Sequence, residues 1–135
     1  MAGSNPRGIF PLETGRLMLR THDIGDAEWM QRVPVGDVAL WLTDRERRVA
    51  EIGWVFDPVH HGNGYAREAV AAVLRVAFDE YGLHRVAAQM DARNAASAKL
   101  AAAVGMHREA HLRQNWWSKG EWTDTLVFAM LRSDR

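Results

Sequence analysis

Apolar and polar positions alternate in short runs at both ends of the chain and recur at helical spacing in two segments between them. "LETGRLMLR" (12–20) alternates and reads as a strand with Leu17 and Leu19 on one face. "HDIGDAEWMQR" (22–32) carries polar capping residues and then a short helical pattern. In "GDVALWLTD" (36–44) Val38, Leu40 and Leu42 oppose Ala39 and Trp41. "VAEIGWVFDP" (49–58) follows the charged turn "DRERR", so the two segments make an antiparallel hairpin that Pro58 closes. From Tyr65 to Tyr81 the apolar residues fall at Ala66, Ala69, Val70, Val73, Leu74, Ala77 and Phe78, the one-sided spacing of a helix, with Gly82 to end it. "HRVAAQM" (84–90) is a short strand, and 94–105 is a second helix with Asn94 as N-cap and Gly105 past its end. The chain closes as two long strands around "SKG", with Leu126, Phe128 and Met130 on one face.

The order is therefore β-α-β-β-α-β-α-β-β. The strand–helix–strand unit from 49 to 90 requires a parallel pair with a right-handed crossover, whereas the flanking hairpins are antiparallel. An α/β fold follows, with a central mixed, twisted sheet and helices on both faces.

Length adds that 1–135 is a single domain, in which "MAGSNPRG" and the two residues after it (1–10) read as a flexible tail. Seventeen basic side chains balance seventeen acidic ones, so no field of one sign points to nucleic acid or a membrane surface. There is no cysteine, which excludes a disulfide framework, thiolate zinc sites and a cysteine nucleophile. No apolar run reaches the roughly 20 residues of a membrane span, and a soluble, cytoplasmic protein is the expectation.

The chemistry concentrates in "DPVHHGNGYAREAV" (57–70), where Gly62 and Gly64 precede a helix start. A helix N-terminus presents unpaired N–H groups and the positive end of the helix dipole; with side chains removed beside it, it is a cradle for an anion such as phosphate. The plain alternative is a turn that only needs glycine. A dinucleotide fingerprint is excluded because Arg67 occupies the third glycine position, and no Walker lysine follows. His60 and His61, without H-x-x-x-H spacing or a carboxylate partner, give no reason to expect a metal.

Taken together, "IGWVFDPVHHGNGYAREAV", "DARNAASAKLAAAVGM" and "HLRQNWWSKGEWTDTLVFAML" resemble the GNAT superfamily of acyl-CoA N-acyltransferases, and within it the RimJ/RimL-type branch, over 12–20 and 36–131. The resemblance implies a GNAT-like fold and acetyl-CoA as co-substrate. Gly62, Asn63, Gly64, Tyr65 and Ala66 would offer backbone N–H groups to the coenzyme A pyrophosphate, with His61 beside them. Trp54, Val55 and Phe56 would pair their main chain with the pantetheine arm, as a peptide adds to a sheet edge, and Asn94 would touch the same arm or simply cap its helix. The family's usual Gln or Arg before the first glycine is Val59 here.

For catalysis, the resemblance places N–H groups near Val55 and Phe56 at the acyl oxygen. Glu51 stands where relatives carry a glutamate base, its alternative being an ion pair with Arg47 or Arg48. The tyrosine acid of many relatives is replaced by Ala101, and Ser97 takes the position of the branch's serine as a hydrogen-bond donor to the sulfur or a relaying water. The pair of helices and strand that relatives hold between the first strand and the hairpin is reduced to "THDIGDAEWMQRVPV". Trp116, Trp117 and Trp122 sit beside the expected acceptor cleft. The resulting expectations are N-acetyl transfer to a primary amine, on a protein N-terminus or a small molecule, and a homodimer that covers the face left bare. The alternatives are a catalytically idle coenzyme-A-binding module and a structural domain whose glycine turn binds nothing.

Overall fold

The structure, a computed structural model, describes residues 36–56 and 64–135 in full and the backbone of 12–13 and 18–19. Strands β1 (Leu12–Glu13) and β2 (Met18–Leu19) pair antiparallel, Leu12 with Leu19 and Glu13 with Met18. The stretch 12–20, expected as one strand, thus doubles back as a separate two-stranded ribbon. Alternation has the same period in one strand and in the arms of a tight hairpin, and only the Thr14–Gly15 pair signals the reversal. Leu17 and the helical pattern over 22–32 lie outside the described residues.

The main sheet has five strands in the order β3-β4-β5-β7-β6. β3 (Gly36–Asp44) and β4 (Val49–Phe56) form the expected antiparallel hairpin, and β4 runs parallel to β5 (Arg85–Asp91). β6 (His107–Ser118) and β7 (Glu121–Leu131) make the closing hairpin. Its two-residue turn puts Lys119 at φ 49° and Gly120 at φ 79°, the double left-handed conformation that matches the twist of paired strands.

Helix α1 (Tyr65–Arg75) buries Ala69, Val70, Ala72 and Leu74, as its spacing predicts. It continues as a π turn over Val76–Glu80, closed by the Tyr81 amide donating to Val76 O at 3.1 Å. Three consecutive residues, Val76, Ala77 and Phe78, are buried there, which the 3.6-residue repeat cannot place on one face; a wider turn can. Helix α2 (Ala95–Ala103) begins at Asn94 and ends at Gly105 in the left-handed region (φ 99°). The Gly105 and Met106 amides donate to Ala102 O and Ala101 O, which closes the helix with a paired C-terminal cap.

Both helices pack on one face. A single core cluster joins Val70, Leu74 and Phe78 with Ala101 of α2 and with Ala50, Ile52, Val86, Ala88, Leu126, Phe128 and Met130 of the sheet. The two described helices lie on one face, and the helix expected over 22–32 lies outside the described residues. On the other side Trp41, Val55 and Leu112 remain 46, 73 and 41% exposed. No helix among the described residues is long and apolar enough to cross a membrane.

Candidate active site

Parallel pairing of β4 with β5 lasts only three residues: Val49 faces Arg85, Ala50 faces Val86 and Glu51 faces Ala87. Both strands then continue, to Phe56 and Asp91, without pairing each other. The edge of β4 that faces β5 is left without ladder partners from Ile52 onward, as a strand-adding ligand would require. A cleft of about 160 Å³ opens at this split, lined by Ile52, Gly53 and Trp54 from β4, Ala88 to Asp91 from β5, and Asn94 and Ser97 from the start of α2.

The α2 N-terminus orders its end of the cleft. Asn94 Oδ1 accepts the Ser97 amide at 3.0 Å, so the N-cap role is met. The Asn94 backbone amide donates to Asp91 O at 2.9 Å, while its side-chain Nδ2 has no partner among the described residues, and Asn94 lines the cleft. Ser97 Oγ accepts the Trp54 indole N–H at 3.3 Å. Beside them Arg93 donates to both Asp91 oxygens and, at 2.6 Å, to Glu121. The Arg93 side chain, then its amide, hold the Asp91 carboxyl below the usual carboxylate range.

Glu51 lies on the opposite face. Ala50 and Ile52 are in the helix-covered core, so the residue between them points away from it. Gln89 lies likewise between Ala88 and Met90, and its Nε2 donates to Glu51 Oε1 at 3.0 Å. The alternative pairing with Arg47 or Arg48 is not made: Arg47 binds Asp44 at 3.0 Å and Arg48 donates to Tyr81 O at 3.0 Å. The candidate base and the candidate sulfur partner thus occupy opposite faces of the sheet, and the split in the parallel pair joins them.

At the far end, α1 starts at Gly64, which adopts φ 74°. The first helical bond is Glu68 N to Gly64 O, so the amides of Ala66 and Arg67 have no acceptor inside the helix. Tyr65 and Ala66 open this turn as expected, while His61, Gly62 and Asn63 lie outside the described residues. Cleft, unpaired strand edge and helix N-terminus together fit a long thioester coenzyme with a phosphate end. Trp54 and Phe56 pack their side chains against the core and Val55 points to the opposite face; of the three, Trp54 lines the cleft.

A broader hollow of about 640 Å³ lies at the β6 edge, lined by His111 to Asn115 and Asp124. There β6 places three residues, 113 to 115, against Asp124 alone, with Gln114 at φ 47°. His111 Nε2 lies 2.7 Å from Asp124 Oδ2, and the Gln114 amide donates to Oδ1 at 2.7 Å. The Asp124 carboxyl is held below the usual range chiefly by the His111 bond, then by the Gln114 amide. The sequence reading missed this pair; its signal was the break in alternation across "HLRQNWW". The pair anchors a bulge, whereas the smaller cleft is where unpaired main chain, Asn94 and Ser97 converge, and the site is assigned there. Trp117 and Trp122 meet edge to face at 5.3 Å, and both are more than half exposed at the tip of the β6–β7 hairpin.

A split parallel pair with a glycine-led helix after its first strand and an asparagine-capped helix after its second defines an acyl-coenzyme A transferase scaffold. The acetyltransferase (GNAT) domain family model matches residues 16–107, more than half of the chain, and the chain belongs to that family. The uncharacterized N-acetyltransferase YnaD of Bacillus subtilis is 37% identical over 96% of this chain and 79% of its own length. Of solved structures, the ribosomal-protein-S5-alanine acetyltransferase of Vibrio fischeri superimposes with a TM-score of 0.69 at 28% identity, over 74% of this chain and 55% of that one. A spermidine N-acetyltransferase, SpeG, of Vibrio cholerae gives 0.70 at 26%, over 76 and 61%. The chain spans less than two thirds of either solved protein.

Proposed function

We propose that this chain transfers an acetyl group from acetyl-CoA to a primary amine, either a protein N-terminus or a small-molecule amine. The observation that carries the reading is the split between β4 and β5 after Glu51, with Asn94 and Ser97 at its helix side. Bound acetyl-CoA supplies a thioester carbonyl as electrophile and a thiol as leaving group. The unpaired edge of β4 aligns the pantetheine arm, and main-chain N–H groups near Val55 and Phe56 stabilise negative charge on the acyl oxygen. The first turn of α1, with Gly62 to Ala66, receives the pyrophosphate. Glu51, with Oε1 held by Gln89, accepts the ammonium proton on the face opposite the helices, directly or through water, and Ser97 Oγ–H donates toward the sulfur from the helix face. The acceptor thus approaches from the face opposite the helices.

The two solved relatives, one acting on an alanine of ribosomal protein S5 and one on spermidine, support both acceptor classes. Titration calorimetry with coenzyme A, followed by mass spectrometry over a panel of alanyl peptides and polyamines, tests the reading. Binding without any acetylated product favours a coenzyme-binding module, which Ala101 in the place of the family tyrosine supports; absence of binding refutes both. Trp41, Val55 and Leu112, exposed on the face opposite the helices, further support a homodimer through that face. Light scattering at micromolar concentration is expected to give about twice 15.2 kDa, and a clean monomer refutes that arrangement.

A further inference from the structure

We infer that Trp54 is a positioning residue: its indole N–H fixes the Ser97 hydroxyl so that the hydroxyl proton points into the cleft between β4 and β5. The inference rests on the reading above that this cleft takes the thioester arm and that Ser97 meets its sulfur. It concerns a side chain for which that reading uses only the main chain.

An indole is a donor with no acceptor, so in the 3.3 Å contact Ser97 Oγ must be the acceptor. A hydroxyl has one proton and two lone pairs. Taking one lone pair by Trp54 turns the hydroxyl about its Cβ–Oγ bond and leaves its proton to be donated elsewhere. Among the described residues nothing accepts that proton. The other Ser97 contact, its amide donating to Asn94 Oδ1 at 3.0 Å, fixes the backbone rather than the hydroxyl. Both Trp54 and Ser97 line the cleft, so its interior is the direction left open. A serine in the first turn of a helix otherwise turns its hydroxyl back to a carbonyl of the preceding turn. The indole contact competes with that rotamer and keeps Ser97 available as a donor.

The two residues lie 43 positions apart, one on the part of β4 that no longer pairs with β5 and one on α2. The bond therefore also ties the helix to the strand across the mouth of the split. The Trp54 ring packs against the core cluster, which holds the N–H in one direction.

The test uses Trp54→Phe, Ser97→Ala and the double variant in the full chain. The indole N–H resonances of the six tryptophans are recorded first. Trp54→Phe identifies one resonance by its disappearance, and that resonance is expected to move upfield in Ser97→Ala. Coenzyme A affinity by calorimetry is expected to stay within about twofold in Trp54→Phe. Thiol release from acetyl-CoA, with spermidine or an alanyl peptide as amine, is expected to show kcat reduced about three- to tenfold by Trp54→Phe, the size of one neutral hydrogen bond. Adding Trp54→Phe to Ser97→Ala is expected to cost nothing more, since a residue acting through Ser97 has no route without it. If Ser97→Ala keeps full kcat, the role given to Ser97 fails and this inference falls with it. If Ser97→Ala is slow but Trp54→Phe is not, or if the two losses multiply, the inference alone is overturned. Should Trp54→Phe fold poorly, each indole resonance can be assigned in the unaltered chain, and an unmoved Trp54 signal in Ser97→Ala overturns the inference.

Discussion

Asn94 offers two atoms to two different tasks, and substitutions can take them away separately. Its Oδ1 accepts the Ser97 amide at 3.0 Å and caps α2, while its side-chain Nδ2 is a donor left over in a residue that lines the cleft. Asn94→Ala removes both. Losing an N-cap costs about 1 kcal/mol, and a domain of 135 residues has an unfolding entropy of roughly 0.28 kcal/mol/K, so the melting temperature should fall by about 3–4 °C. Losing one cleft hydrogen bond should weaken coenzyme A binding by about three- to tenfold. Asn94→Ser keeps an oxygen at capping distance and should melt within about 1 °C of the parent, yet it removes the amide donor and should bind coenzyme A as weakly as the alanine variant. Thermal unfolding by circular dichroism and calorimetric titration give the two numbers independently. An Asn94→Ser variant with parental affinity would refute the cleft role, and an Asn94→Ala variant with an unchanged melting point would refute the cap.

Gly64→Asp places a carboxylate and a Cβ at a position with φ 74°, where the phosphates are expected, and should abolish coenzyme A binding in calorimetry; undiminished affinity would sink the pyrophosphate assignment. Glu51→Gln keeps a side-chain oxygen that Gln89 can bond but removes the proton acceptor, so kcat should fall by about tenfold or more with coenzyme affinity unchanged, and an active Gln variant would reduce Glu51 to a structural contact. The carboxyls of Asp91, Glu109 and Asp124 are held low chiefly by Arg93, Arg85 and His111 respectively. A depressed group contributes stability above its unfolded value and loses it as pH falls through the folded one, so the melting temperature should hold down to about pH 4–5 and decline below that. These groups are solvent-exposed, so the decline should be shallow and smaller in high salt, and Asp124→Asn should flatten it further; a melting point independent of pH from 6 to 2 would contradict the pairing.

Local signals carried most of the fold into the sequence. Asn94 and Gly105 bound α2 because capping is chemistry between near neighbours, and the "SKG" turn needed only one lysine and one glycine with positive φ. What stayed hidden depends on register between distant segments. Nothing near Glu51 says that Gln89 will reach it, because that contact follows from Glu51 facing Ala87 across the parallel pair. The Trp54–Ser97 bond is hidden for the same reason, while the π turn at Val76–Glu80 answers to core burial and not to any local propensity. The family's motifs single out Asn94 and Ser97, which both line the cleft, whereas the His111–Asp124 anchor arises from a bulge that alternation alone does not size.

The split in the parallel pair also gives this sheet free borders in its interior. Strand borders elsewhere are guarded by position, charge or a covering element, because bare N–H and C=O groups are a template on which any extended chain can crystallise. On the proposed function the guard cannot be built in, since the same groups are to stay open to a ligand, and Val55 beside them is 73% exposed. With a pantetheine arm along β4, as proposed, the ligand itself is the seal. The empty protein is then the form inclined to clump, and shelf life in solution should track how much coenzyme A is kept in the buffer.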